Sequence, residues 1–210
     1  MEDKNHLIAI TDHNSITANK EMYLDPNINI NFVPAIEIGC RDSFEFLIYF
    51  KDMQTLENFH LEHVKPYKKK RKITRTKKDY KYFLKVFKKE KYKNKILVSI
   101  PHIFGYMQKN YLKRKYIGEV LKEIDTIEVY NETLNQKRNT VAKRLSEIQN
   151  KKTTFGSDAH IKKEIEMFYK IQNNKFYSFK NKILEKIFRV LSTSKILQKH
   201  TLFFIMFLLR

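Results

Sequence analysis

Histidines and carboxylates stand at the ends of several short apolar runs in this sequence. The set comprises His13 after Ile8–Ile10, Glu37 within Pro34–Ile38, His102 after Val98–Ile100, Glu128 and Asn131 around Val129–Tyr130, and Asp158 with His160 after Thr153–Phe155. Imidazole nitrogens and carboxylate oxygens together bind zinc, manganese or iron, and mixed sites of this kind favour hydrolytic chemistry. A single histidine at a strand end is more often structural, but five or six such groups on successive strands indicate a metal site.

The apolar runs alternate with amphipathic stretches, which is the pattern of an α/β protein with parallel strand pairing. The sequence predicts strands at 7–10, 30–38 (broken by Pro34), 44–50, 96–100, 126–130 and 153–155, and helices over 14–24, 52–95, 111–123 and 135–150. Ligands and catalytic groups of such folds collect at the C-terminal ends of the strands, which is where this set of side chains stands. The spacing of Asp158 and His160 further predicts that both side chains project to one side of an extended segment.

The length and composition limit the class of protein. The chain has 210 residues, the size of one large domain or two small ones, and 42% of them are hydrophobic, which argues against intrinsic disorder. Cys40 is the single cysteine, which excludes a disulfide scaffold and a multi-cysteine zinc cluster, and we expect it to be a small buried side chain. No signal peptide or apolar span of about 20 residues is visible, so we expect a cytoplasmic protein without a membrane span.

The formal net charge of +19 comes mostly from one segment. Residues 65–95, called the basic segment below, contain sixteen Lys or Arg and two acidic residues, a balance of +14, whereas the rest of the chain carries only +5. Lysine outnumbers arginine 34 to 8 in the chain, and because arginine is the better reader of bases, this charge is weak evidence for sequence-specific DNA binding. An apolar stripe at helical spacing from Tyr80 to Phe87 predicts a helix packed on the domain rather than an aromatic platform for nucleic acid.

Five motifs occur in an order that resembles the polymerase-and-histidinol-phosphatase (PHP) family of metal-dependent phosphoesterases. They are Ile10–Ile16 (ITDHNSI), Pro34–Ile38 (PAIEI), Pro101–His102, Ile127–Asn131 (IEVYN) and Gly156–His160 (GSDAH), and the match runs from about Leu7 to about Ile171. The first and the last motif are the specific ones. The resemblance implies a distorted seven-stranded β/α barrel that holds two or three divalent ions (Zn, Mn or Fe) at the C-terminal ends of its strands and hydrolyses phosphate esters.

Carried over motif by motif, the resemblance also implies roles for individual residues. The implied metal ligands are His13, Glu37, His102, Asp158 and His160, with Glu37 as the carboxylate that bridges two ions. The implied catalytic group is Asp12, His13, Asp158 and His160, in which Asp12 orients its neighbours. Asn131 would line the pocket. A water activated by the metal ions would attack phosphorus in line.

The sequence departs from the family pattern at two places. The family carries a His-x-His pair on a strand a few tens of residues before the motif that contains His13, but only twelve residues precede His13 here and none forms that pair. We therefore expect an incomplete barrel that lacks its first strand and two ligands. The second departure is Glu45, which stands where the family often has a histidine. Glu45 is either a further metal ligand of altered affinity or an ordinary solvent-facing strand residue.

The C-terminal tail and two further histidines lie outside this site. Residues 1–175 are expected to form the PHP-like domain, and residues 176–210 a helical tail that ends in a short apolar run. Packing is the favoured interpretation of this run, and the alternatives for its contact are the domain, a partner or a membrane surface. His60 and His63 lie three residues apart beside the basic segment and could clamp a metal ion, although two exposed histidines are the favoured interpretation.

These observations predict a metal-dependent phosphoesterase that acts on a nucleotide, an oligonucleotide 5′ end or a small phosphomonoester. Because the His-x-His pair is absent, a truncated and catalytically impaired remnant that serves as a binding or regulatory module is an alternative. A nucleic-acid-binding protein that uses Lys65–Lys95 is another. Metal content separates the first two, and binding that ignores metal and falls steeply with salt would support the third.

Overall fold

The structure, a computed structural model, describes residues 7–28, 31–69, 74–105, 114–160 and 164–166. The chain divides into two compact units, Met1–Asp158 and Ala159–Arg210. The described strands are β1 (Leu7–Ile10), β2 (Asn31–Gly39), β3 (Glu45–Phe50), β4 (Ile96–Ile100), β5 (Thr126–Asn131) and β6 (Lys152–Gly156). The described α-helices are α1 (Thr17–Leu24), α2 (Met53–Phe59), α3 (Tyr80–Phe87), α4 (Arg114–Glu123) and α5 (Gln136–Ile148).

The six strands lie in the sheet in the order in which they follow in the chain. Neighbouring strands are parallel except at β3, which runs antiparallel to both β2 and β4. The prediction of parallel pairing was therefore wrong at β3, because the connection of residues 40–44 is long enough for a hairpin but too short for a parallel crossover. As a result Glu45, which pairs with Gly39 at the start of β3, lies at the same edge as the C-terminal ends of β2 and β4.

The described strands form a curled half-barrel, which confirms the predicted α/β class and agrees with a partial β/α barrel. A seventh strand is not among the described residues. The predicted helical tail over 176–210 and the predicted boundary at 175 also lie outside them. Among the described helices, none is both long and apolar enough to cross a membrane.

The predicted helix over 52–95 is interrupted in its middle. After α2 the chain forms a π-helical turn (His60–Val64) and a 3₁₀ turn (Lys65–Tyr67), and α3 begins only at Tyr80. Pro66 lacks the N–H that a continuing α-helix would need, which explains why α2 cannot extend through this point. Asp79 then starts α3 by accepting a hydrogen bond from the Tyr82 N–H at 3.1 Å.

The apolar stripe of α3 packs on the sheet, as the sequence predicts. The ring of Tyr80 lies 4.9 Å from that of Phe44, and Phe87 meets Phe46 edge to face at 5.3 Å. These rings belong to a core that α3 shares with β3. The lysines of α3 point the other way and are exposed.

His63 is buried, so the favoured interpretation of two exposed histidines was wrong. It is only 5% exposed, with its ring against Phe59 and Tyr92 and its Nδ1 3.0 Å from the Tyr82 hydroxyl. Burial, together with the charge of Lys89, lowers the pKa of His63 to about 4. His63 is therefore a neutral core residue.

Candidate metal centre

The backbone of the ITDHNSI motif is joined to the end of β2. The Asn14 N–H donates to the Glu37 carbonyl at 2.8 Å, and the Glu37 N–H donates to the Asp12 carbonyl at 3.2 Å. The Asn14 side chain accepts a hydrogen bond from the Gly39 N–H at 3.1 Å. Asn14 has a left-handed backbone (φ 52°), which asparagine tolerates better than most residues. These contacts fix His13 beside Glu37.

Three of the predicted ligands meet at this edge of the sheet. Donor atoms of His13, Glu37 and Glu45 lie within 4.8 Å of one another, and His13 Nδ1 is 3.2 Å from Glu37 Oε2. Glu37 is 7% exposed and Glu45 only 3%, so the solvent-facing alternative for Glu45 was wrong. Two buried carboxylates side by side are costly unless cations accompany them. The group is therefore suited to hold a cation.

His102 brings a second imidazole to the same carboxylates. Its Nε2 lies 3.4 Å from Glu37 Oε1 and 3.9 Å from Glu45 Oε2. Burial by itself lowers the pKa of His102, but the adjacent Glu37, helped by Asp158 and Glu128, outweighs burial and raises it to about 10. The electrostatic field of the carboxylates thus favours positive charge at this place.

Glu128 supports His102 from the next strand. Its Oε2 accepts hydrogen bonds from the His102 backbone N–H at 2.7 Å and from Asn131 Nδ2 at 2.9 Å. Burial raises the pKa of Glu128 to about 7, against the opposing effects of His102 and Asn131. Gly156, the first residue of GSDAH, leaves room for this carboxylate, since a Cβ there would lie 1.9 Å from Glu128 Oε1. The sequence marked Glu128 as a polar strand-end residue but did not predict this supporting contact.

Asp158 lies at the far end of the same network. The Thr133 hydroxyl is 2.5 Å from Asn131 Oδ1 and 3.2 Å from Asp158 Oδ2. β6 ends at Gly156 and Asp158 has a φ of 48°, so the prediction of an extended segment through Asp158 was wrong. The turn brings Asp158 near enough to His102 and Glu128 to shift the pKa of both.

The structure leaves two predicted residues without a demonstrated role. His160 belongs to the second unit, where its backbone N–H donates to the Glu164 carboxylate at 2.6 Å. The backbone carbonyl of Asp12 accepts a hydrogen bond from the Glu37 N–H. Burial raises the pKa of the Asp12 carboxyl group, although the charge of His13 opposes this effect. The ligand role of His160 and the orienting role of Asp12 stay predictions.

The described residues of this edge fit a divalent cation. Oε1 of Glu37 is buried and has no assigned hydrogen-bond donor among the described residues, although His102 Nε2 lies 3.4 Å away. The donors that surround it are imidazole nitrogens and carboxylate oxygens, the ligand set of Zn²⁺, Mn²⁺ and Fe²⁺. His13, Glu37 and His102 are the residues placed to hold such an ion.

One charged residue of the site was not predicted. The guanidinium of Arg75 is bonded through Nη1 to Oε1 of Glu45. The contact joins parts of the chain thirty residues apart, so no local pattern reveals it. The signal in the sequence was the residue type, since Arg75 is one of only two arginines in the lysine-rich basic segment.

Two solved structures match this chain at low sequence identity. PsfC from Pseudomonas syringae PB-5123 matches with a TM-score of 0.52 and 15% identity over 72% of this chain and 61% of PsfC, so this chain spans about three fifths of that protein. A "putative metal-dependent phosphoesterase" from Bifidobacterium adolescentis matches with a TM-score of 0.41 and 12% identity, over 75% of this chain and 78% of that protein. No protein-family model and no curated protein matches. The similarity to PsfC shows a shared fold alone.

Proposed function

We propose that this chain is a metal-dependent phosphoesterase of the PHP type. The observation that carries the proposal is the meeting of His13, Glu37 and His102, in which the two oxygens of Glu37 lie 3.2 Å and 3.4 Å from the two imidazoles. A carboxylate between two imidazoles is suited to bridge divalent ions. We expect Asp158 and His160 to complete the ligand set, as the GSDAH motif implies.

Divalent ions at this edge would lower the pKa of a water towards neutrality and neutralise the charge that develops on the leaving oxygen. The protein's own residues supply the positioning. Glu128 holds the backbone N–H of His102, and the hydrogen bond from Asn14 to the Glu37 carbonyl fixes His13. Such supporting contacts set the orientation of ligand side chains and commonly change metal affinity about 10- to 100-fold when they are lost.

The substrates that we propose are a nucleotide, an oligonucleotide 5′ end or a small phosphomonoester. Lys81 and Lys85 are exposed on α3, and Lys88 and Lys89 are exposed directly after it. A lysine-rich surface raises the local concentration of polyanions and speeds their encounter at low salt. The charge of the basic segment therefore favours the nucleotide and oligonucleotide substrates.

Hydrolysis of p-nitrophenyl phosphate and of a 5′-phosphorylated oligonucleotide, measured with Mn²⁺ and with EDTA, tests this proposal. We expect turnover that EDTA abolishes and that Asp158→Ala or His160→Ala lowers by at least about 100-fold. Asp25→Ala, which removes an exposed carboxylate after α1, is the control and should keep the wild-type rate. Full turnover in the double variant of Asp158 and His160 would contradict the proposal.

The ion pair between Arg75 and Glu45, which neutralises a carboxylate of the site, also supports the impaired-remnant alternative. Metal analysis separates the active enzyme from the remnant, because two or three tightly bound ions per chain favour the enzyme and none or one favours the remnant.

A protein that serves only to bind nucleic acid would bind the oligonucleotide in EDTA and lose affinity steeply with salt.

A further inference from the structure

Arg75 places a guanidinium beside a carboxylate of the candidate metal centre. Its Nη1 is bonded to Glu45 Oε1 and donates to the Thr74 carbonyl at 3.0 Å. The side chain of Arg75 is 23% exposed and that of Glu45 is 3% exposed. The pair is therefore shielded from water on the side of Glu45, where charge–charge interactions are strong.

The backbone around Arg75 is fastened to the end of β2. The Thr76 N–H donates to the Gly39 carbonyl at 2.7 Å, and Thr76 is fully buried. Gly39 allows the close approach, since a Cβ at that position would lie 1.8 Å from the Thr74 carbonyl oxygen and 2.7 Å from Arg75 Nη1. These backbone contacts therefore fix the position of Arg75 at this edge of the sheet.

Glu45 is also one of the three residues whose donor atoms lie within 4.8 Å of one another. A buried carboxylate is costly without a cation or hydrogen-bond donors beside it, and a metal ion and a guanidinium at the same carboxylate repel each other. We propose that the Arg75 guanidinium takes the place of a metal ion at Glu45, so that metal is bound through His13, Glu37 and His102 while Glu45 serves Arg75. This inference rests on the metal site of the proposed function.

Two variants, Glu45→Gln and Arg75→Met, should change metal affinity in opposite ways depending on whether Glu45 binds a metal ion or Arg75. If Glu45 were a metal ligand, Glu45→Gln would weaken metal binding and loss of Arg75 would matter little. If Arg75 occupies that place, Arg75→Met releases Glu45 for a metal ion and strengthens binding, and Glu45→Gln leaves binding unchanged.

Calorimetric titration of the chelator-stripped full chain with Mn²⁺ alone tests this. We expect Arg75→Met to bind one more Mn²⁺ per chain, or to bind it at least about 10-fold more tightly, and Glu45→Gln to stay within about 2-fold of the wild type. Arg41→Met is the matched control, because Arg41 pairs with Asp79 on the surface at 3.1 Å. Weaker binding by at least about 10-fold in Glu45→Gln, or no gain in a folded Arg75→Met variant, would overturn the inference.

Arg75→Met removes the bonded guanidinium from the buried carboxylate of Glu45 and can fail to fold for that reason. The double variant of Glu45→Gln and Arg75→Met removes both charges, and we expect it to bind Mn²⁺ as the wild type does. A loss of affinity in this double variant would overturn the inference. A wild-type chain that binds Mn²⁺ but hydrolyses no phosphate ester would contradict the proposed function and leave the place of Arg75 standing.

Discussion

His102 and Asp158 have left-handed backbones, with φ values of 29° and 48°, just after the ends of β4 and β6. For residues with a side chain such conformations cost about 1–3 kcal/mol each and persist only where the surroundings hold them. At His102 the hydrogen bond from its N–H to Glu128 is the holding contact. Strain at two predicted ligands, which follow the strands on either side of β5, is typical of a site in which side chains must take a fixed orientation.

Gly156→Ala tests whether Glu128 supports this site. A Cβ at position 156 would lie 1.9 Å from Glu128 Oε1 and would force the Glu128 carboxylate to move. The His102 N–H and the Asn131 amide would then lose their acceptor. We expect urea denaturation to show a loss of about 2–3 kcal/mol in the free energy of unfolding. Gly118→Ala on α4 is the matched control, because its Cβ would meet nothing within 4 Å, and it should gain about 0.5–1 kcal/mol. Equal effects of the two substitutions would contradict the supporting role.

The buried His63 should make the free energy of unfolding depend on pH. Burial and Lys89 hold its pKa at about 4 in the folded chain, below the ordinary value of 6.5, so between these values the unfolded chain binds a proton that the folded chain does not. The contribution to stability is fully present above pH 6.5 and is lost as the pH falls towards 4. Allowing for solvent screening, we expect a loss of about 1–2 kcal/mol in urea denaturation. His63→Phe should remove this part of the pH dependence, and an unchanged pH profile would show that the prediction is wrong.

At the scale of secondary-structure elements, the Asn19 side chain joins α1 to two strands. Its Nδ2 donates to the Ile10 carbonyl at 3.1 Å and its Oδ1 accepts from the Ala35 N–H at 3.0 Å. Asn19 and Ala35 are fully buried. One side chain therefore ties the end of β1, which leads to His13, to the part of β2 that leads to Glu37.

Asn19→Ala should loosen this connection. It leaves a buried N–H of Ala35 and the Ile10 carbonyl without their partner, so we expect a loss of about 2–3 kcal/mol in the free energy of unfolding. Asn58→Ala is the control, because Asn58 is exposed on α2 and bonds only its neighbour Gln54 at 3.1 Å among described residues, and its effect should stay within about 0.5 kcal/mol. Comparable losses in the two variants would mean that Asn19 does not fix the strands.

The strands could be predicted because each is a short apolar run bounded by polar or turn residues. β4 has the predicted bounds, Ile96–Ile100, whereas β2 was expected to break at Pro34 and continues through it. Pro34 is tolerated there because the ladder with β3 begins only at Ala35. The direction of β3 was missed although the short connection of residues 40–44 indicated a hairpin.

The site could be predicted as far as local motifs reach. The motifs place His13, Glu37 and His102 at one edge, and the structure brings these three together. The contact between Glu45 and Arg75 could not be predicted, because it depends on how a long connection after β3 folds back. The spacing of residues along the chain does not indicate where this connection meets the sheet.

Positive charge and the carboxylates of the site are unevenly distributed along the chain. The basic segment carries a balance of +14 of the net +19, whereas Glu37, Glu45 and Glu128 are buried at the strand edge. Carboxylates repel a phosphate ester unless cations neutralise them, and a lysine-rich surface attracts one. In the proposed function, bound metal neutralises these carboxylates and makes the edge compatible with a phosphate ester.

Calorimetric titration with Mn²⁺ of the chelator-stripped wild type and of Glu37→Gln tests the metal centre most directly. We expect the wild type to bind Mn²⁺ and Glu37→Gln to bind it at least about 10-fold more weakly, because Glu37 contacts both imidazoles. Glu57→Gln, which removes a carboxylate paired with Lys20 at 2.9 Å, should bind as the wild type does. No binding by the wild type, or equal affinity in the wild type and Glu37→Gln, would contradict a metal centre at this edge.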